Sequence, residues 1–259
     1  MKRILIFSGT TEGRQLTEFL DGRNAKVYVS TATEYGKECA GEHENAEVFF
    51  GRMDQKQMAE MMKEKQINLV IDATHPFAQL VTGEIRKACE GAGVQYLRCL
   101  REAAEETGKE NQVIWQDSVE AAAEYLAGTK GQILITTGSK ELAKYTKIPD
   151  YQERCYARVL STGQAILDSI ACGFEGKHLI AMQGPFSKEM NVATIHQTGA
   201  KYFVTKESGK AGGFEEKVQA AKETGAVLVV VGRPKERGMF FAEVCEWLEN
   251  YLKKEYAFR

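Results

Sequence analysis

The residues of this chain that are able to do chemistry gather where apolar runs stop. The first such place is Ser8-Gly9-Thr10-Thr11-Glu12-Gly13-Arg14, directly after an apolar run over residues 4–7. Gly9 permits a sharp turn, and Gly13 permits close helix packing or close approach of a ligand. Thr10 and Thr11 bring hydroxyl donors, and the Arg14 guanidinium can grip a phosphate through two N–H groups. A strand, a tight turn and a helix in that order put first-turn N–H groups where a phosphate is held. Ser8, Gly9, Thr10, Thr11 and Arg14 are therefore candidate cofactor contacts. The spacing is Gly-x-x-x-Gly, not the Gly-x-Gly-x-x-Gly of the common dinucleotide fingerprint, and a capped helix entry without a ligand is the plain alternative.

Asp72-Ala73-Thr74-His75-Pro76-Phe77 is the second place. An acid and an imidazole at the mouth of a parallel strand can move a proton or position a ring, which makes Asp72 and His75 the candidate catalytic residues. Thr74, His75 and Pro76 are candidate cofactor contacts, with Pro76 suited to a first helical turn. The alternative is a helix cap with His75 bonded to a neighbouring carbonyl. At the end of the second apolar run, Ser30 and Thr31 stand where an acid would bind a ribose diol, and no acid appears before Glu34. Hydroxyls there admit NADPH without requiring it, so NADPH or NADH stays open.

Three more turns lie in the second half, and each joins backbone N–H groups to a lysine. They are Thr137-Gly138-Ser139-Lys140, Gly184-Pro185-Phe186-Ser187-Lys188 and Lys206-Glu207-Ser208-Gly209-Lys210. Together they read as an anion-binding wall at one sheet edge, with Arg154, Arg158 and Arg233 near strand ends. Singly, each reads as a turn with a solvated charge. No Walker loop, no Gly-x-Ser-x-Gly and no His-Glu-x-x-His is present, and the histidines are dispersed at 43, 75, 178 and 196. No metal site is expected.

The elements that must carry these turns alternate along the chain. Strands are predicted at 4–8, 27–30, 47–51, 69–72 and 94–100, with helices over 11–20, 54–65 and 78–90. After a Glu-rich connector at 101–112 a second series begins near Val113. It has strands at 132–136, 155–160, 178–182, 202–205 and 227–231, and helices over 118–126, 163–171, 188–196, 214–223 and 241–254. Strands alternating with helices imply crossover units and a parallel sheet. The fold class is α/β with mainly parallel sheets, in two domains, 1–105 and 106–259. Met58, Met61 and Met62 read as core.

At 259 residues with a net charge of −2, the chain is long enough for two domains and lacks the basic excess of a nucleic-acid binder. No apolar run approaches the ~20 residues that span a bilayer, so no membrane partner is expected. The short strand after Met1-Lys2-Arg3 cannot serve as a signal-peptide core. The six cysteines form no CxxC pair, which fits reduced, mostly buried thiols in a cytoplasmic protein.

Taken in order, these turns resemble the precorrin-6A reductase family of cobalamin biosynthesis, including its cobalt-precorrin form. Besides the turns at 4–14, 72–78, 137–140, 183–187 and 205–209, Tyr96-Leu97-Arg98, Ala157-Arg158-Val159-Leu160 and Arg233-Pro234 carry the likeness, so it covers nearly the whole chain. Thr-His-Pro-Phe-Ala and Gly-Pro-Phe-Ser are its specific elements. The resemblance implies two Rossmann-like domains with an interdomain cleft and a reduced nicotinamide cofactor. It also implies hydride transfer to C19 of a tetrapyrrole macrocycle, a precorrin or cobalt-precorrin. Such a substrate carries many carboxylates around a flat ring, and the cations expected to meet them are Arg98, Arg101, Arg158, Lys140, Lys206 and Lys210. Ser139, Gly184, Pro185, Phe186, Ser187 and Ser208 complete the candidate substrate set. Where the family often has alanine after the turn's glutamate, Gly13 is expected to be harmless. A monomer or weak homodimer is expected. The competing readings are another NAD(P)-dependent reductase on the same scaffold, a non-catalytic nucleotide-sensing module, and a methyltransferase, whose ribose-binding acid is missing.

Overall fold

A computed structural model describes residues 1–102, 112–209 and 212–253. In chain order its strands are β1 (Lys2–Ser8), β2 (Ala25–Thr31), β3 (Ala46–Phe50), β4 (Leu69–Ala73), β5 (Gln95–Leu100), β6 (Val113–Gln116), β7 (Gln132–Ile135), β8 (Cys155–Val159), β9 (Leu179–Ala181), β10 (Ala200–Lys206), β11 (Val227–Val231) and β12 (Met239–Phe240). The described residues form two six-stranded sheets, ordered β12-β5-β4-β1-β2-β3 and β6-β11-β10-β7-β8-β9. Every pair is parallel. Each sheet belongs to its own compact unit: residues 1–102 with the return segment from Lys235, and residues 103–234.

In the first unit the apolar runs are continuous because the strands are buried on both faces. Ile4, Ile6, Val29 and Ile71 face Leu16 and Leu20 of the helix Thr11–Leu20 and Val244 and Leu248 of the helix Phe241–Lys253. Leu5, Phe7 and Val70 face Met58 and Met62 of the helix Gln55–Glu64 and Ile85 and Ala88 of the helix Gln79–Ala92. The strand order is that of a doubly wound dinucleotide fold, and it reverses between β1 and β4. Ligands of such sheets bind outside the carboxyl ends of the strands at that reversal.

The chain is divided differently from the sequence expectation at its C-terminal end. The helix Phe241–Lys253 lies in the first unit, not in a domain spanning 106–259. The cause is β12, which pairs Met239 with Cys99 and Phe240 with Leu100 of β5 and so supplies the sixth strand of the first sheet. The second unit is thus an insertion between β5 and β12.

In the second unit Leu134, Phe203, Leu228 and Val230 pack on Ile195 of the helix Lys188–Thr198 and on Phe214, Ala220 and Ala221 of the helix Phe214–Thr224. Its strand order reverses between β7 and β10. All six cysteines are free thiols. Burial pushes Cys89, Cys99 and Cys155 up to about 12, so they are neutral packing groups. Among the described residues no cluster of His, Cys, Asp and Glu can hold a metal, and no helix is long and apolar enough to cross a membrane.

Candidate active site

The reversal point of the first sheet brings the two N-terminal motifs together. Ser8 of β1 is in register with Ala73 of β4, so the turns that follow them lie side by side. Thr10 caps the helix Thr11–Leu20: its Oγ1 accepts from Gly13 N at 3.3 Å and donates to the Ala73 carbonyl at 2.9 Å. Its hydroxyl is therefore committed to joining the turns and is not the phosphate donor that the sequence pattern proposes. Gly9 is exposed, and a Cβ built on it would come no closer than 3.8 Å to Thr74 Cα and 3.9 Å to His75 N. The fold itself does not require glycine there, whereas a ligand lying on the backbone would.

Gly13 is different. A Cβ on it would stand 3.0 Å from Ser8 Cβ and 3.1 Å from Ser8 Cα. It thus performs the close helix–strand packing of the third fingerprint glycine, with Ser8 and Thr10 in the places of the first two. Gly13→Ala gains roughly 1 kcal/mol of helix propensity but overpacks Ser8 by about 1–3 kcal/mol. Net destabilisation in denaturant unfolding is expected, and a stabilised variant would contradict this packing role. Of the other residues in this turn, Arg14 is exposed, Thr11 is half-buried, and Glu12 pairs with Arg101 Nε at 3.1 Å. Arg101 is buried and serves this turn.

Asp72 is fully buried. Its Oδ1 accepts from Thr74 N at 3.0 Å, Thr74 Oγ1 at 2.7 Å and Arg98 Nη1 at 2.9 Å, and its Oδ2 accepts from Tyr96 Oη at 2.9 Å. Register places Asp72 and Arg98 opposite each other on β4 and β5. Burial and the adjacent Asp72 push the Tyr96 phenol upward, so it stays a donor. A carboxylate so enclosed, already holding four donors, positions the turn and lies out of a substrate's reach. Arg98, expected to meet substrate, is likewise committed: it also binds the Thr74 carbonyl at 3.0 Å and Glu236 of the return segment at 2.9 Å. Gly238 packs on it as well, since a Cβ there would lie 2.6 Å from the Arg98 carbonyl oxygen.

His75 is half-buried, and its Nδ1 accepts from Phe77 N at 3.3 Å. With Nδ1 as the acceptor, the bond favours the tautomer whose ring proton is on Nε2. Pro76 sits in a turn closed by Ala78 N on the His75 carbonyl, and the helix starts only at Gln79. Ser30 and Thr31 are buried. The Thr31 hydroxyl donates to the Thr33 carbonyl at 3.1 Å, so it is committed to the backbone where a ribose contact is expected from sequence.

In the second unit, the reversal point carries a cavity of about 310 Å³. Of the predicted substrate residues, Arg158, Gly184, Pro185 and Phe186 line it, together with Lys217 and Gly138. Arg158 is buried, donates to Asn191 Oδ1 at 2.8 Å, and stacks with its guanidinium carbon 3.9 Å from the Phe186 ring centre. Its Nη1 is buried without a hydrogen-bond partner. Ser139, Lys140, Ser187, Lys206 and Ser208 are not among the lining residues. Ser187 caps the helix Lys188–Thr198 through Met190 N, Ser208 donates to the Gly212 carbonyl, and Lys140 is exposed. Lys206 donates to Glu141 Oε1 at 2.7 Å. Burial opposes the Glu141 charge, yet Lys144 and Lys206 hold its carboxyl below the ordinary range. Glu207 and Arg233 form a two-toothed pair across the ends of β10 and β11. Lys210 and residues 103–111 of the connector lie outside the described residues. Lys217 was not legible as a site residue. Its one signal is position: it falls three residues after Phe214 and four before Ala221, on the buried stripe of its helix.

A family profile described as "Precorrin-6x reductase CbiJ/CobK" matches residues 3–249. The cobalt-precorrin-6A reductase of Salmonella typhimurium is 35% identical over 231 residues, covering 89% of this chain and 87% of its own length. That of Priestia megaterium is 35% identical over 258 residues, covering 96% and 99%. The solved structure of a CobK precorrin-6A reductase superposes with a TM-score of 0.75 at 20% identity over 97% of this chain and 98% of that one, which shows the shared fold. With the matched profile spanning both units, the chain belongs to the precorrin-6x reductase family, oxidoreductases of cobalamin biosynthesis.

Proposed function

We propose that this protein reduces cobalt-precorrin-6A, or its metal-free form, to the corresponding precorrin-6B with NADH or NADPH. The observation that carries the reading is the joined pair of turns at the β1–β4 reversal, where Gly9 leaves backbone open beside Thr74 and His75. When bound, the nicotinamide supplies the hydride for C19 of the macrocycle. The backbone at Ser8 and Gly9 and the first turn beginning at Thr11 hold the pyrophosphate, with Arg14 at its edge. Thr10 keeps this turn against β4. His75 stands beside Gly9 at the mouth of β4, Asp72 holds Thr74 and Arg98 in place, and solvent supplies the proton that accompanies the hydride. Arg158, Gly184, Pro185 and Phe186 receive the carboxylate-bearing edge of the macrocycle, with Lys140 available at the surface.

The test is an anaerobic assay of the protein with either nucleotide and with the macrocycle with and without cobalt, following loss of the reduced-nicotinamide absorbance. Oxidation in step with macrocycle consumption is expected for at least one pairing. No oxidation in any pairing would overturn the assignment.

A further inference from the structure

The nucleotide turn carries an acid at the place that receives an anion. Glu12 is the second residue of the helix Thr11–Leu20, and its side chain is only 14% exposed. A carboxylate in a first turn is favoured by the helix dipole while no ligand is bound. Once a pyrophosphate lies on the same turn, the two anions draw on one positive helix end and repel each other. Glu12 therefore needs a cation of its own if the turn is to take a nucleotide.

The fold supplies that cation from a distant segment. Arg101 follows β5, and the strand order sets β4 between β5 and β1. The pair thus spans the carboxyl end of β4, across two strand spacings or roughly 10 Å. The Arg101 Nε–H is shared between Glu12 Oε1 at 3.2 Å and Oε2 at 3.1 Å. Both side chains are enclosed, that of Arg101 at 7% exposure, so water and salt screen the pair little. The neighbouring guanidinium cannot take its place, because Arg98 is already divided between Asp72 and Glu236, each at 2.9 Å. The pair also holds the Glu12 carboxylate at the β5 end and keeps it off the first-turn N–H groups that an anion needs.

We infer that Arg101 is a positioning residue for the nucleotide: by neutralising Glu12 and fixing its carboxylate, it keeps the β1 turn open to the pyrophosphate. The inference rests on the cofactor reading above and adds a residue that acts on the nucleotide only through Glu12. The sequence alone places Arg101 among the cations for substrate carboxylates. Its bond to Glu12 assigns it to the nucleotide turn, so its loss falls on nucleotide affinity and not on corrin affinity.

Fluorescence titration of the full chain with NADH and NADPH compares wild type with Arg101→Gln, Arg101→Lys, Glu12→Gln and the double variant Glu12→Gln/Arg101→Gln. Cobyrinic acid, a stable corrin polycarboxylate, is the control ligand. Arg101→Gln uncovers the Glu12 charge, and the dissociation constant of the nucleotide that wild type binds rises about tenfold or more. Arg101→Lys keeps the charge and most of the affinity, and Glu12→Gln binds nucleotide close to wild type. The double variant lacks the ion pair, as Arg101→Gln does, yet recovers the affinity of Glu12→Gln. Cobyrinic acid binds all five proteins alike. The comparison of Glu12→Gln with the double variant holds even where Arg101→Gln does not fold, since without the acid the loss of Arg101 leaves nucleotide affinity unchanged. A double variant as weak as Arg101→Gln, or weaker than Glu12→Gln, would overturn the inference and leave Arg101 a structural tie or a direct phosphate ligand. Weakening of cobyrinic acid together with the nucleotide, or in its place, would overturn it as well. Failure of the wild-type chain to bind either nucleotide would overturn the cofactor reading and this inference with it, whereas wild-type binding indifferent to Arg101→Gln would overturn this inference alone.

Discussion

Arg98→Met is expected to lower the unfolding free energy by about 3–5 kcal/mol, the cost of stranding a buried charge. Asp72 is wholly enclosed, and its nearest cation is the Arg98 guanidinium at 2.9 Å. Burial works against the charge of Arg98, while Asp72 and Glu236 more than restore it. The same guanidinium binds the Thr74 carbonyl and Glu236, so one substitution releases the end of β4 and the return segment that leads to β12. The double variant Asp72→Leu/Arg98→Met removes both charges and is expected to recover part of the loss. Urea unfolding of the three proteins checks this, and a single variant as stable as wild type would contradict the anchoring role. Because Arg98 and Asp72 hold Thr74 beside Gly9, the single variant also weakens nucleotide binding in the fraction that remains folded.

Gly9→Leu carries the second large effect, and it falls on function. A Cβ at Gly9 meets only ordinary contacts, the nearest at 3.8 Å, so the folded chain has room for a side chain there. A pyrophosphate lying on that backbone does not. The nucleotide dissociation constant is expected to rise roughly tenfold to a hundredfold, about 1.4–2.8 kcal/mol. The unfolding midpoint and the affinity for a corrin polycarboxylate are expected to stay near wild type. Fluorescence titration with NADH and NADPH reads the effect; equal weakening of nucleotide and corrin would show that Gly9 does not separate the two sites. Gly13 makes the contrast, since there the conflict is with Ser8 and appears without any ligand.

The central strands were legible because their burial on both faces leaves unbroken apolar runs, as at Ile4–Phe7 and in β11. The turns were legible because parallel sheets place ligand chemistry at strand ends. What was not legible depended on pairing between distant segments. β12 has two residues, too few for any periodicity, yet it decides which unit the last helix joins. The amphipathic pattern of that helix gives its buried face but not the partner, which proves to be Leu16 and Leu20. Asp72 looked like a catalytic acid because its partner Arg98 is 26 residues away and meets it only through the register of β4 and β5. The hydroxyls of Thr10 and Thr31 looked available for the same reason, their acceptors Ala73 and Thr33 being set by the turns of the folded chain. Lys217 was passed over because a lysine in an amphipathic helix reads as solvent-facing, and only the arrangement of β8, β10 and its own helix shows it in a cavity wall.

The measurement that bears most directly on the central claim is the fate of a label carried on the nucleotide. The protein is incubated anaerobically with the macrocycle and NADH or NADPH deuterated at the transferring position of the nicotinamide ring. The account predicts a reduced macrocycle one mass unit heavier, with the deuterium at C19, from one of the two nucleotides. A reduced product that carries no deuterium from either nucleotide, or carries it only when the solvent is deuterated, would contradict hydride transfer from a cofactor held at the β1–β4 turn.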